Sequence, residues 1–165
     1  MFEDDIRETV KPWIEKGEVR EFPDTQPVFD TVERQFPSGL NRIAWEKVRA
    51  KQYEEIFAVA TGGKKTDEID ARLAARRERV REWFRNEQIP TNAEVVWVGD
   101  STDFGLVMTV EALLECFPKL FALPQHSYAL PRDGSWCLNY VMEGELFFAK
   151  APEHAGPSRR SHRKS

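Results

Sequence analysis

Apolar side chains recur at helical spacing over roughly the first 90 residues of the chain. The apolar face of the first predicted helix is formed by Ile6, Val10, Trp13 and Ile14. Gly17 is suited to end this helix. The polar residues 18–26 predict a loop, and the helix that follows is expected to end before Pro37. Residues 38–57 also favour a helix, although their pattern partly alternates like that of a strand.

The clearest helical pattern covers residues 67–88, where Thr66 is a suitable N-cap. One face of this helix is apolar and the other is rich in arginine. We interpret the arginine-rich face as a solvated surface with intrahelical ion pairs such as that between Glu78 and Arg81. A nucleic-acid-binding face over residues 72–85 is the alternative.

The last third of the chain changes from helical patterns to short apolar strands separated by turns. The apolar run Glu94–Val98 predicts a strand that is covered on both faces. A short helix capped by Thr109 is expected next. Three further strands are predicted, at Ser127–Leu130, Trp136–Met142 and Glu145–Ala149.

Turn residues connect these last three strands into an antiparallel meander. Residues 131–134 read PRDG, and Glu143 with Gly144 suits a tight hairpin. The sequence therefore predicts a single α+β domain over residues 1–150. Its N-terminal helices are expected to pack on a C-terminal antiparallel β-meander of about four strands.

Charge is distributed unevenly between this domain and the end of the chain. The 165 residues carry a formal net charge of −4, and residues 151–165 carry +3, which leaves −7 on residues 1–150. An acidic domain disfavours nucleic acid as a partner and favours cationic partners, and the alternative is that its charge simply keeps the protein soluble. Residues 151–165 combine basic residues with Pro, Gly and Ser, so we predict a disordered basic tail.

The two cysteines and the N-terminus indicate a cytoplasmic protein. Cys116 and Cys137 each lie in an apolar run, which predicts two buried free thiols in a reducing compartment. The first ten residues are acidic and lack the apolar core of a secretory signal. No apolar run approaches the roughly 18 residues that a membrane span requires.

The loop GDSTD at residues 99–103 follows a predicted strand, a position where functional residues are common. Asp100 and Asp103 offer carboxylate oxygens, which hard cations prefer. Two carboxylates alone make an incomplete metal site, and Asp100 or Ser101 can instead close a turn by bonding backbone amides. We favour the turn and predict no metal site.

The residue types of a nucleophilic catalytic set are also present. Ser101 or Cys137 would be the nucleophile, with His126 and Asp133 as its partners. Ser101 lacks the G-x-S-x-G elbow, and Cys137 lies within a strand, where a small thiol packs well. These residues are weak catalytic candidates. A small hydrolase or metal-assisted enzyme that uses the 99–103 loop and His126 is therefore the alternative to a binding function.

Motifs that hold cofactors do not occur in the chain. It contains no C-x-x-C, no H-x-x-x-H, no P-loop and no G-x-G-x-x-G. The sequence accordingly predicts no zinc, nucleotide or dinucleotide cofactor.

Tryptophan is abundant for a chain of this length. Five tryptophans occur, at positions 13, 45, 83, 97 and 136. Tryptophan is favoured both in cores and in interface hot spots. Trp45 is the least well placed on a core stripe, and Trp136 begins a strand beside the turn at residues 131–134, so we predict that these two lie at the surface. Together with Asp100 and Asp103 they form the predicted partner-binding set.

The block FALPQHSYALPRDGSWCLNYVMEGELFFA, at residues 121–149, resembles the C-terminal part of small bacterial domains. Some of these domains are similar to immunity proteins of polymorphic toxin systems. The resemblance implies a small cytosolic protein that neutralises one cognate toxin, and opposite charge would speed its association with a basic toxin. It assigns no role to any individual residue.

Overall fold

The computed structural model describes residues 3–39, 42–58 and 66–152. The helices are α1 (Glu3–Glu15), α2 (Gln26–Gln35), α3 (Thr66–Ala74), α4 (Arg77–Asn86) and α5 (Val110–Phe121), with a 3-10 turn at Trp45–Lys47. The strands are β1 (Val19–Phe22), β2 (Gln52–Glu55), β3 (Glu94–Gly99), β4 (Gly105–Thr109), β5 (Ser127–Leu130), β6 (Trp136–Val141) and β7 (Glu145–Lys150). The predicted basic tail lies almost entirely outside the described residues.

All seven strands form one sheet in the order β1-β4-β3-β5-β6-β7-β2, and every neighbouring pair is antiparallel. The α+β class is therefore confirmed. The predicted four-strand meander understates the sheet, because β1, β2 and β4 belong to it as well. The loop predicted over residues 18–26 and the helix predicted over residues 38–57 are wrong, since these segments supply the two edge strands.

Apolar side chains cover both faces of the sheet. Helices α1, α3, α4 and α5 pack on the first face, which includes Val95 and Trp97 of β3. Helix α2 and the segment around Trp45 pack on the second face, which includes Val96 and Val98. The prediction that the strand at residues 94–98 is covered on both faces is confirmed. Successive side chains of a strand point to opposite faces of the sheet, so this one strand contributes to both apolar clusters.

Capping and turn residues predict the local structure correctly at three positions. The Thr109 hydroxyl accepts a hydrogen bond from the Ala112 amide at 3.1 Å and caps α5. Gly17 ends α1 with a φ of +76°, and Gly144 makes the β6–β7 hairpin with a φ of +94°. Both glycines adopt a backbone conformation that side chains with a Cβ disfavour.

The helix predicted over residues 67–88 is divided into α3 and α4. Arg76 lies at the division, and its guanidinium donates to the Glu54 carboxylate at 3.1 Å and to the Glu55 carbonyl at 3.1 Å. These contacts join the helix pair to β2, which sequence periodicity does not report. Within α4 the predicted Arg81–Glu78 ion pair is present at 3.2 Å.

Both cysteines are free and buried, as predicted. Burial raises the pKa of the Cys116 thiol from 9.0 to about 12, and burial also raises the pKa of Cys137. Because the folded pKa exceeds the unfolded one, the protonated thiols contribute stability that is present below pH 9 and lost as the pH approaches 12. We therefore expect the free energy of unfolding to fall over this range.

Urea denaturation at a series of pH values between 9 and 12 measures this loss. Tyrosines titrate over the same range, so the control is the double variant Cys116→Ala/Cys137→Ala, whose unfolding free energy should fall less steeply. Identical slopes for the two proteins would contradict a thiol contribution.

Candidate functional site

The structure does not assemble the predicted nucleophilic set. His126 precedes β5 and Asp133 follows it, so the two lie at opposite ends of a four-residue strand, about 13 Å of extended chain. The His126 ring accepts a hydrogen bond at Nδ1 from the Met142 amide at 3.2 Å. The Asp133 carboxylate accepts from the Ser135 amide at 2.9 Å within its own turn. The structure therefore does not bring His126 and Asp133 together.

The 99–103 loop is held by one buried glutamine. The Oε1 atom of Gln125 accepts from the Ser101 amide at 2.7 Å, and the Gln125 side chain also bonds the Thr102 hydroxyl at 3.1 Å. Gly99 permits this arrangement, because a Cβ there would lie 2.5 Å from the Gln125 side chain. The backbone at Ser101 is thus fixed by the Gln125 side chain, whereas the turn interpretation assigned this role to the side chain of Asp100 or Ser101.

Both oxygens of the Asp100 carboxylate are engaged within the chain. Arg42 donates to Oδ1 at 3.2 Å, and the Tyr128 hydroxyl donates to Oδ2 at 3.4 Å. Burial, followed by the charge of Asp100, raises the pKa of Tyr128, so the phenol keeps its proton for this bond. Arg42 also pairs with Glu33 at 2.7 Å. This network fastens the segment before the 3-10 turn to the second face.

Asp103 is exposed, and its amide donates to the Glu3 carboxylate at 3.3 Å. Within the described residues no group of three or more His, Cys, Asp or Glu side chains is placed to hold a metal ion. Contact of Asp100 or Asp103 with a partner stays a prediction.

Trp45 and Trp136 do not lie at the surface, which corrects the prediction of exposure. Only 5% of Trp45 and 6% of Trp136 is accessible. Trp136 packs against Phe84 and Phe148 on the first face. Because Trp136 opens a strand next to a turn, its sequence neighbours suggested exposure, whereas α4 covers it in the fold.

Trp45 belongs to an aromatic cluster on the second face. Its indole stacks on Phe147 with centroids 4.8 Å apart and planes 10° apart. Its Nε1 donates to the Oδ1 of Asn139 at 2.8 Å, and Asn139 is itself buried. Tyr53 of the edge strand packs on the same Phe147 ring at 5.3 Å.

A cavity of about 390 Å³ opens beside this cluster, and we call it the aromatic pocket. It is lined by Ile43, Trp45, Glu46, Lys51, Tyr53, Val141, Glu145 and Phe147. Tyr53 at its rim is 42% exposed, and Met142 at 46% is the other large apolar side chain exposed in the described part of the chain. The pocket thus combines a buried aromatic floor with an accessible tyrosine.

Two carboxylates, those of Glu46 and Glu145, line the aromatic pocket. Glu145 lines it and lies directly opposite Glu55 in the β2–β7 register. Burial raises the pKa of the Tyr53 phenol, and the charge of Glu145 with its hydrogen bond to Tyr53 raises it further. Like charges that face each other across a strand pair are destabilising, so this pair lowers the stability of the free protein.

The sequence reasoning missed Tyr53, Glu145 and Phe147 as pocket residues. Tyr53 fell within the predicted helix, and Glu145 and Phe147 were assigned only to a strand. The four residues of β2 carry little sequence signal for a strand, because Tyr53 is the one apolar residue among them.

Comparison with known proteins finds no relative. No protein-family model matches the chain, and no curated protein or solved structure matches it either. Separately, none of the helices in the described ranges combines the length and apolar character that crossing a membrane requires.

Proposed function

We propose that this chain is a cytosolic binding domain that recognises a basic protein through the aromatic pocket. The observation that carries the proposal is the position of Tyr53, Trp45 and Phe147 beside Glu145 in one open cavity. Tyrosine and tryptophan supply large contact areas in interface hot spots, and such residues lie in pockets that a partner side chain fills.

The chemistry of the pocket suits an arginine or lysine side chain. The apolar stem of such a side chain would pack against Tyr53 and Phe147, as long basic side chains do on apolar surfaces. Its charge would lie near Glu46 and Glu145, and the ring faces would add a cation–π attraction. The pocket lining contains three charged residues, Glu46, Glu145 and Lys51, and their net charge is −1.

The Glu55–Glu145 pair supports a binding role. Local features that lower stability are retained most often where function requires them. A basic group bound in the pocket would offset the repulsion between these two carboxylates, because each of them would attract it. In its most specific form, the proposal is that the partner is a toxin and that occupancy of the pocket neutralises it.

A pull-down from the native host, with mass spectrometry, tests the proposal. The baits are the wild-type chain and the variants Tyr53→Ala and Met142→Ala, which remove the two exposed large apolar side chains. We expect one stoichiometric basic protein on the wild-type and Met142→Ala baits, and at least tenfold less of it on Tyr53→Ala, because hot-spot truncation costs about 2 kcal/mol or more.

Met142→Ala is the matched control, because Met142 does not line the aromatic pocket. Equal recovery of the partner on all three baits would place the interface elsewhere. Co-expression of the recovered protein with the wild-type chain then tests neutralisation, and growth inhibition that the wild-type chain does not relieve would exclude the toxin form of the proposal.

A further inference from the structure

A second cavity of about 650 Å³ lies where the β2–β7 pairing ends, and we call it the basic groove. Its lining includes four cationic side chains, Lys47, Arg49, Lys51 and Lys150, and the single acidic residue Glu87. Three of the four cations fall within five consecutive residues that lead from the 3-10 turn into β2. In a chain with a formal net charge of −4, this is a local concentration of positive charge.

The groove is open because the two strands separate. The pairing of β2 with β7 ends at Gln52 and Phe148, whereas β7 continues to Lys150. The Ala151 amide bonds the Ser135 carbonyl on the β6 side at 2.8 Å. Since backbone groups alternate along a strand, the amide of Lys150 points to the other side, into the groove, where no strand pairs with it.

The cations of the groove are poorly neutralised. Elsewhere in the described ranges, arginines such as Arg7, Arg42 and Arg76 have carboxylate partners within 3.2 Å. Lys47 and Arg49 have no such partner among the described residues. The Lys51 ammonium donates to the Val48 carbonyl at 3.0 Å, which leaves its charge uncompensated. Lys150 has Glu87 at 3.6 Å.

We infer that the basic groove binds a compact anion that carries two or more phosphate groups. Several ammonium and guanidinium groups that line one cavity match phosphate oxygens, and arginine can bond two of them at once. The volume is that of a small-molecule site. This ligand is independent of the basic protein proposed for the aromatic pocket, although Lys51 lies between the two cavities.

An extended nucleic acid fits the groove less well. Among the described residues Phe148 is the only aromatic residue in its lining and is 2% exposed, so none of them offers a ring for base stacking. Glu46 precedes Lys47 in the chain and would repel a polyanion that extended beyond the groove on that side. A short polyphosphate avoids both problems.

Isothermal titration of the full chain with inorganic tripolyphosphate tests the inference, at an ionic strength of about 0.1 M, where the Debye length is about 10 Å. We expect saturable binding, and we expect the double variant Lys47→Gln/Arg49→Gln to weaken it about tenfold or more. The loss of hydrogen bonds between charged groups is large enough to produce a change of this size in affinity. Glu87→Gln should strengthen binding, since it removes the acid of the groove and releases Lys150.

The matched control is Lys11→Gln/Lys16→Gln, which removes the same charge from α1 and the residue that follows it, beside the opposite edge strand β1. It should leave the affinity for tripolyphosphate within about twofold, because exposed charges more than a Debye length apart are screened. Three results would each overturn the inference: no binding by the wild-type chain, equal weakening by both double variants, or tighter binding of a single-stranded oligonucleotide through Lys47 and Arg49. The Lys47 and Arg49 substitutions leave the aromatic pocket unchanged, so failure here is distinguishable from failure of the proposed function.

Discussion

Replacing Trp45 by alanine is expected to lower the free energy of unfolding by about 3–5 kcal/mol. The indole is 5% exposed and stacks on Phe147, so its removal leaves a cavity on the second face of the sheet. The loss of Nε1 also leaves the buried Oδ1 of Asn139 without its donor at 2.8 Å. A buried acceptor that loses its partner adds a desolvation penalty to the packing loss.

Two further variants separate these contributions. Trp45→Phe keeps a ring on Phe147 but removes the donor to Asn139, so we expect a loss of about 1–3 kcal/mol. Trp13→Ala is the matched tryptophan control, because the Trp13 indole is partly buried and bonds the Glu115 carboxylate, and its loss should be smaller. Urea denaturation followed by far-ultraviolet circular dichroism measures all three. A loss for Trp45→Ala no larger than that for Trp13→Ala would contradict the placement of Trp45 in the core.

The substitution Glu145→Lys is expected to weaken the binding of the basic partner about 100-fold while the fold is retained. A lysine there places a like charge against the partner's basic group, and like-charge juxtaposition across an interface costs several kcal/mol. In the free protein the same lysine faces Glu55, so a repulsive cross-strand pair becomes attractive and contributes about 0.2–1 kcal/mol. Affinity and stability should therefore change in opposite directions.

Glu143→Lys provides the matched control for Glu145→Lys. Glu143 lies in the β6–β7 turn, two residues before Glu145. It carries the same charge and does not line the aromatic pocket. The wild-type chain and the two variants are each titrated with the partner isolated by pull-down, which gives their affinities. Urea denaturation of the same three proteins gives their free energies of unfolding. Equal weakening by both substitutions would indicate a general charge effect. A large loss of stability in Glu145→Lys would contradict the repulsion assigned to Glu55 and Glu145.

Sequence reasoning located the candidate site only in part. It placed Trp45 at the surface, whereas the indole is buried and forms part of a pocket floor. It separated Tyr53 from Glu145, which are 92 positions apart in the chain. Only the pairing of β2 with β7 brings these residues into one cavity. Long-range strand pairing leaves no local periodicity from which it can be inferred.

The sequence by itself determined the α+β class, the boundaries of β5 and the positions of Gly17, Thr109 and Gly144. These features depend on short-range physical chemistry: side-chain alternation, a capping hydroxyl and the backbone freedom of glycine. The tertiary structure alone decided that β1 and β2 complete the sheet as its edges. It also decided that the aromatic pocket and the basic groove lie on either side of Lys51. Edge strands carry weak local signals, because they are short and polar and gain their stability from the strands beside them.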